Sequence, residues 1–269
     1  MTVYNRKEVT LQGLRSLYNA IEVLGGDNSF DIYMTNDGCT DGTCEAVHKE
    51  FSDIHIIQGD GSLYWSGGMR KAWQTAIECN IEYDCFLWFN DDADLYDDAL
   101  ASIFKVYDNI GPDCIVTGAF CDHNGKASYG GKLEEDHVME PNGQFQRVVL
   151  MNGNLVLIPY TVYSRLGTID RIFKHGLGDH DYGLRAQKKN IGVFLTDKYV
   201  GVCDRHDTDK PSYLSSEFGI IKRFNLLYSP INNPYIHSCY IKRYKGFYRA
   251  LRFFLGRNIY TLFPFLYRK

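Results

Sequence analysis

No run of eighteen or more uncharged apolar residues occurs in the 269-residue sequence, and its opening, MTVYNRKEVT, lacks a basic segment followed by an apolar one. Neither a membrane-spanning helix nor a signal peptide is supported, and a cytoplasmic location is expected. Cysteine stands at eight positions, Cys39, Cys44, Cys79, Cys85, Cys114, Cys121, Cys203 and Cys239, with no CxxC pair among them. That spacing argues against a zinc site or disulfide framework and for reduced thiols, several inside apolar strand-like runs. Internal repeats and low-complexity segments are absent too. Acid is missing from the whole C-terminal stretch: Phe218 to Lys269 holds ten Lys or Arg and no Asp or Glu. The net charge is −4 overall and +10 over that stretch, which leaves −14 on the first 217 residues.

What is present is a globular composition, 45% hydrophobic and 23% charged, on a chain long enough for one large domain with a substantial core. FDIYMT, IHII, CFLWF and CIVTG read as strands, and LQGLRSLYNAIEVL and MRKAWQTAIE as helices. The second helix aligns Met69, Ala72, Trp73, Ala76 and Ile77 on one face. Such alternation predicts an α/β fold with a mainly parallel sheet flanked by helices. The stretch from about 118 to 150 suggests loops or short antiparallel strands. LVLIP, a helix around DHDYGLRAQKK and the strand GVFL complete a core ending near 205.

Polar clusters follow two of these strands and should open on one sheet edge, where such folds bind ligands. In WFNDDADLYDD, Asp91, Asp92 and Asp94 are either a divalent-cation site or a polar turn before a helix that Asp97 and Asp98 begin. In NDGCTDGT, counting from Asp37 puts Cys39 third and His48 twelfth, which fails the EF-hand pattern. GDGSLYWSGG has Tyr64 where a dinucleotide fingerprint needs its third glycine. SGGMR is either a Gly-rich turn before a surface helix or a helix start whose free N–H groups, with Arg70, hold a diphosphate. In GDHDYGLR, Asp179 is placed to cap a helix or act as a general base, and Asp181 with Arg185 makes an i, i+4 pair. His206 is a metal ligand or an ordinary polar loop histidine.

In this order, MTVYN, TNDGCTDGT, FNDDAD, GDHDYGLR and a late histidine resemble family 2 glycosyltransferases of the GT-A fold, over about residues 1 to 210. GDGSLYWSGGMRKAW and SPINNPY are similar to a bacterial subgroup that builds surface polysaccharides. The resemblance implies a Rossmann-like mixed, mainly parallel sheet, with a nucleotide-binding half at about 1–117 and an acceptor half at about 118–210. It implies that Thr2, Tyr4 and Asp37 hold the base of a UDP- or dTDP-type donor, and that Asn5, Trp65, Arg70 and Asp91 contact the donor. Asp91 and Asp92 match the metal-site pair, with Asp92 ligating Mg2+ or Mn2+ and Asp94 and His206 as further candidates. Asp179 matches the catalytic base of an inverting displacement, with Asp181 as its rival.

Three positions depart from the family pattern. Asn36 replaces the first Asp of its DDGS, Gly178 replaces the Glu of its Glu-Asp motif, and Met1 stands where several apolar residues usually precede TVYN, so upstream residues are expected to add stability. Residues 211–269 read as a basic aromatic extension that either meets anionic lipid beside a lipid-linked saccharide acceptor or packs as a helix with a basic exposed face. A nucleic-acid partner is not expected. The competing functions are a nucleotidyltransferase, whose Gly-rich phosphate loop with Lys is not visible, and a sugar-nucleotide-binding protein with impaired catalysis.

Overall fold

The computed structural model describes residues 1–133, 137–205 and 212–267. The chain divides into two compact units, one of Met1–Asp170 with Gly178–Arg205, the other of Arg171–Leu177 with the residues beyond 205. In the first unit, β1 (Thr2–Val3), β2 (Tyr33–Asn36) and β3 (His55–Gln58) pair in parallel, linked by helices α1 (Lys7–Leu24) and α2 (Thr43–Glu50). Helix α3 (Tyr64–Glu78) leads to β4 (Cys85–Phe89), β5 (Asp94–Leu95) and α4 (Ala99–Ile110). Then come β6 (Cys114–Cys121), the short β7 (Ala127–Tyr129), β8 (Gly131–Lys132) and β9 (Leu150–Met151), β10 (Leu155–Pro159), α5 (Tyr160–Leu166), α6 (Gly178–Lys188) and β11 (Gly192–Val202).

The larger sheet has the order β4-β10-β6-β11-β5 and is mixed: β6 and β11 are parallel, whereas β10 is antiparallel to both β4 and β6. Its strands are buried on both faces. Leu155 and Leu157 of β10 pack in one cluster with Leu14, Leu100 and Ile103, while Val156 and Ile158 point into another with Trp73, Trp88 and Tyr182. This is why LVLIP and CFLWF are unbroken apolar runs instead of alternating ones.

Two close approaches position the site. A Cβ on Gly13 of α1 would stand 2.6 Å from the Asp91 carbonyl oxygen, so the glycine lets α1 lie against the acidic turn after β4. A Cβ on Gly68 would meet Thr2 Oγ1 at 2.1 Å, so α3 packs on β1 through a glycine. The SGG stretch is thus within α3, not a turn before it. The contact with β1 requires the small residue, and local propensity does not reveal that demand.

A cavity of about 330 Å³ in this unit is bounded by Met1, Tyr33, Met69, Trp73, Phe86 and Trp88. At its edge the buried Met1 ammonium donates to the Tyr33 carbonyl (2.8 Å), and burial pushes its pKa from 8.0 down to about 5 against the pull of Asp91. The unfolded amine therefore binds a proton between about pH 5 and 8 that the folded one refuses, so this group makes stability rise with pH across that window. Nα-acetylation of the 269-residue chain is expected to flatten that part of the Tm–pH curve, and an unchanged slope would refute the assignment.

The second unit contains α7 (Ile220–Leu227), α8 (Pro234–Lys245) and α9 (Phe247–Leu262). SPINNPY is the start of α8: Asn233 caps it by accepting from Tyr235 N at 3.0 Å, and Pro234 occupies the first turn. Gly246, at φ 95°, makes the turn from α8 to α9. None of the described helices is long and apolar enough to cross a membrane.

Candidate active site

The acidic turn after β4 is organised by Arg6, a residue that motif reading overlooks. Asn5 adopts φ 48°, and its Oδ1 accepts from Thr40 N (2.7 Å), tying the β1–α1 turn to the loop after β2. Arg6 then reaches Asp92 Oδ2 (2.9 Å) with one guanidinium nitrogen and Asp91 Oδ1 with another. Asp91 is buried and also accepts from Thr10 Oγ1 (3.0 Å). Burial raises its pKa from 3.8 to about 6, opposed by Arg6 and reinforced by Asp92. Asp92 is more open, at 15% side-chain exposure, with the Cys203 thiol 3.9 Å from its Oδ1. Burial, with Asp92 nearby, pushes that thiol up to about 12.

The neighbouring acids have separate tasks. Asp94, on β5, accepts from Gln12 Nε2 (2.8 Å), Asp97 accepts from Asn19 Nδ2 (2.6 Å), and Asp98 pairs with Lys198. Among the described residues no three His, Cys, Asp or Glu side chains converge as a metal-ligand set, and His206 lies outside the described residues. The pair Asp91 and Asp92 nevertheless suits a hard cation of the Mg2+ type, which binds through one or two carboxylates and takes its other ligands from water and phosphate. The two carboxylates already share one positive group, the guanidinium.

Directly after β2, Asp37 is buried and accepts three backbone N–H bonds, from Gly61 (3.0 Å) and Leu63 (3.2 Å) on Oδ1 and from Tyr64 (2.8 Å) on Oδ2. It thereby holds the start of α3, and roughly one of its four lone-pair positions remains for a ligand donor. Asn36 Oδ1 closes the following turn by accepting from Gly38 N (3.2 Å) and Cys39 N (2.7 Å). Thr2 Oγ1 lies 3.4 Å from the Thr35 carbonyl, Tyr4 is exposed, and Arg70 reaches the Asp170 carbonyl at 3.4 Å.

Trp65, in the first turn of α3, bridges the remaining parts. Its indole N–H donates to Asn90 Oδ1, and its ring lies against Gly153, where a Cβ would stand 2.2 Å from Cζ2. The Gly153 N–H donates to Asp179 Oδ2 (3.1 Å), while Asp179 Oδ1 accepts from His180 N (2.8 Å). Contacts thus run from the residue before Asp91 to Asp179. Asp181 is instead fully buried and ion-paired with Arg185 Nε (2.8 Å), whose other nitrogens donate to the Leu166 and Thr168 carbonyls, each at 2.9 Å. Gly178 has a steric cause: a Cβ there would stand 2.4 Å from Ser66 Oγ and 2.9 Å from Ile169 Cγ2. Gly178→Ala is expected to cost about 1–3 kcal/mol in chemical denaturation, as overpacking does, and an unchanged midpoint would refute the contact.

A family model for glycosyl transferase family 2 matches residues 1–165, which include β1 and both polar turns. The chain belongs to that family. No curated protein sequence matches it. Among solved structures, this glycosyltransferase is similar to S. aureus TarS 1-349 in complex with UDP-GlcNAc, at 14% identity over 97% of this chain and 78% of that one, with a TM-score of 0.59. It is also similar to the mannosyltransferase PcManGT from Pyrobaculum calidifontis in complex with GDP-Man and Mn2+, at 12% identity over 97% and 85% of the two chains, TM-score 0.54. GalNAc-T7 with UDP, GalNAc and Mn2+ matches at 9% identity over 96% and 54%, TM-score 0.55. At these identities the likeness is one of fold, the GT-A architecture.

Proposed function

We propose that this glycosyltransferase moves a sugar from a UDP- or dTDP-type donor, with inversion, onto a saccharide acceptor that is lipid-linked, in the building of bacterial polysaccharide. The observation that carries the reading is the row of contacts from Asn90 through Trp65 and Gly153 to Asp179, which joins a carboxylate with no ion pair among the described residues to the Asp91–Asp92 turn. Asp179 is the proposed base and Asp181 a structural partner of Arg185. The acceptor hydroxyl oxygen attacks the anomeric carbon, the bond from that carbon to the diphosphate oxygen breaks with its electron pair, and Asp179 takes the hydroxyl proton. A divalent cation, when bound, would neutralise the departing diphosphate.

Asp92, with Asp91 beside it, is the proposed holder of that cation, and Asp94 and His206 are further candidates. The ligands named for TarS, PcManGT and GalNAc-T7, nucleotides in each and Mn2+ in two, support a nucleotide-sugar donor and a cation. Thr2, Tyr4 and the remaining acceptor position of Asp37 are assigned to the base, and Asn5, Trp65 and Arg70 to the rest of the donor. The catalytic domain is taken as 1–210 and the extension as 211–269, a cytoplasmic protein whose extension contacts the inner face of the membrane.

The test is a thermal-shift screen of UDP, dTDP and GDP with their sugars, with and without Mn2+, on the native protein and Asp92→Ala. A ligand at a hundred times its Kd should add about 2.7 kcal/mol. Metal-dependent stabilisation by a pyrimidine nucleotide, lost in the variant, is expected, and no shift with any nucleotide would overturn the reading. Binding without turnover would favour the impaired-binder alternative, and release of pyrophosphate from a nucleoside triphosphate would favour the nucleotidyltransferase.

A further inference from the structure

Helix α9 is apolar on the side where a water-facing helix should be polar. Its inner side is fixed by the buried Ala250 and Thr261 and by Arg257, which donates to the Tyr213 hydroxyl at 2.7 Å. Tyr248, Leu251, Leu255, Ile259 and Leu262 recur at intervals of three and four residues, so they form one stripe, rotated away from Ala250 and Thr261. Every member is 40–86% exposed. A stripe of five large apolar side chains along a helix of sixteen residues, about 24 Å long, is more than the scattered surface hydrophobes of an ordinary monomer.

The charge around the stripe narrows what covers it. Arg249 and Arg252 lie beside it on α9, Lys242 and Lys245 are exposed near the end of α8, and the segment from 218 onward has ten cations without a single acid. A second copy of the same surface would bring cations against cations. An anionic bilayer supplies both things that the face lacks, an apolar layer for the stripe and negative headgroups for the flanking Arg and Lys. The helix is too short and too charged to span.

We propose that α9 lies in the headgroup plane of an anionic membrane, with Leu251, Leu255, Ile259 and Leu262 facing the acyl chains and Arg249 and Arg252 at the phosphates. This deepens the membrane contact suggested above, but its test involves no donor and no transfer, so either reading can fail alone.

The experiment is flotation of the full-length protein with vesicles of phosphatidylcholine alone and with added phosphatidylglycerol, at low and high salt. Capture only by the anionic vesicles, weakened by salt, is expected. Arg249→Gln and Arg252→Gln should each lower the partition coefficient roughly fivefold. Leu255→Gln with Ile259→Gln, two exposed positions, should lower it further while the circular dichroism spectrum stays native. Equal binding to both vesicle types, protein left in solution, or a Leu255/Ile259 double variant that floats like the native chain would each overturn the proposal. A dimer in light scattering that the double variant dissociates would instead assign the stripe to a second copy.

Discussion

Asp179→Asn should leave the melting temperature and donor binding close to native while lowering kcat by about 10²–10⁴, the range by which a positioned base accelerates proton transfer. Asp181→Asn should do the reverse to the fold. The Asp179 carboxylate is only half-buried and accepts two backbone N–H bonds, which the amide oxygen of Asn can partly replace. Asp181 is fully buried against Arg185, whose guanidinium also holds the carbonyls of Leu166, the last residue of α5, and of Thr168 just beyond it. Removing one member of such a pair strands the other charge, at a cost of about 3–5 kcal/mol. For a chain of this size that lowers Tm by roughly 10 °C. Measuring Tm and single-turnover rate on both variants separates the two acids. A stable Asp181→Asn protein without activity, beside an active Asp179→Asn, would exchange their roles.

The second large effect is expected at Arg6. Its guanidinium is the counter-charge of the buried Asp91 and of Asp92, so Arg6→Gln should destabilise the metal-free protein by a few kcal/mol. Asp91 already has its pKa lifted by burial to about 6, from 3.8 in the unfolded chain. The folded state therefore holds a proton that the unfolded state releases, and stability falls as pH rises from about 4 to 6. Losing Arg6 should steepen that fall and carry it to higher pH. Mn2+ should restore more of the lost Tm in Arg6→Gln than it adds to the native protein, because the cation then meets two carboxylates with no guanidinium between them. Asp92→Ala should abolish the Mn2+ effect in either background. Equal Mn2+ shifts with and without Asp92 would place the cation elsewhere.

Much of this architecture is legible in the sequence for identifiable reasons. CFLWF and LVLIP are strands because they are short, apolar and rich in β-branched or aromatic residues, and the face of α3 is set by Met69, Ala72, Trp73 and Ala76 at helical spacing. The direction of β10 is not legible, since a buried strand looks the same parallel or antiparallel. Gly67 and Gly68 suggest a turn because glycine disfavours helices, yet the contact of Gly68 with Thr2 comes from a residue 66 positions earlier. Asp37 similarly fastens the start of a helix 24 to 27 residues downstream, which no local capping pattern reveals. Asp181 and Arg185 are visible as an i, i+4 pair, but only burial separates a structural pair from a surface one. The acidic turn is visible as a carboxylate cluster, but its partner Arg6, which directly follows TVYN and lies 85 residues before Asp91, carries no local mark of that pairing.

The contact between Gly178 and Ser66 makes these two positions epistatic. A glutamate at 178, the residue of the family motif, has no room for its first side-chain carbon while Ser66 stands 2.4 Å away. Ser66→Gly removes both atoms of Ser66 that the new carbon would meet and leaves only Ile169 Cγ2 to shift. Gly178→Glu should therefore be damaging in the native background and far milder beside Ser66→Gly, so a route to the ordinary motif passes first through a change on α3, a helix distant in sequence.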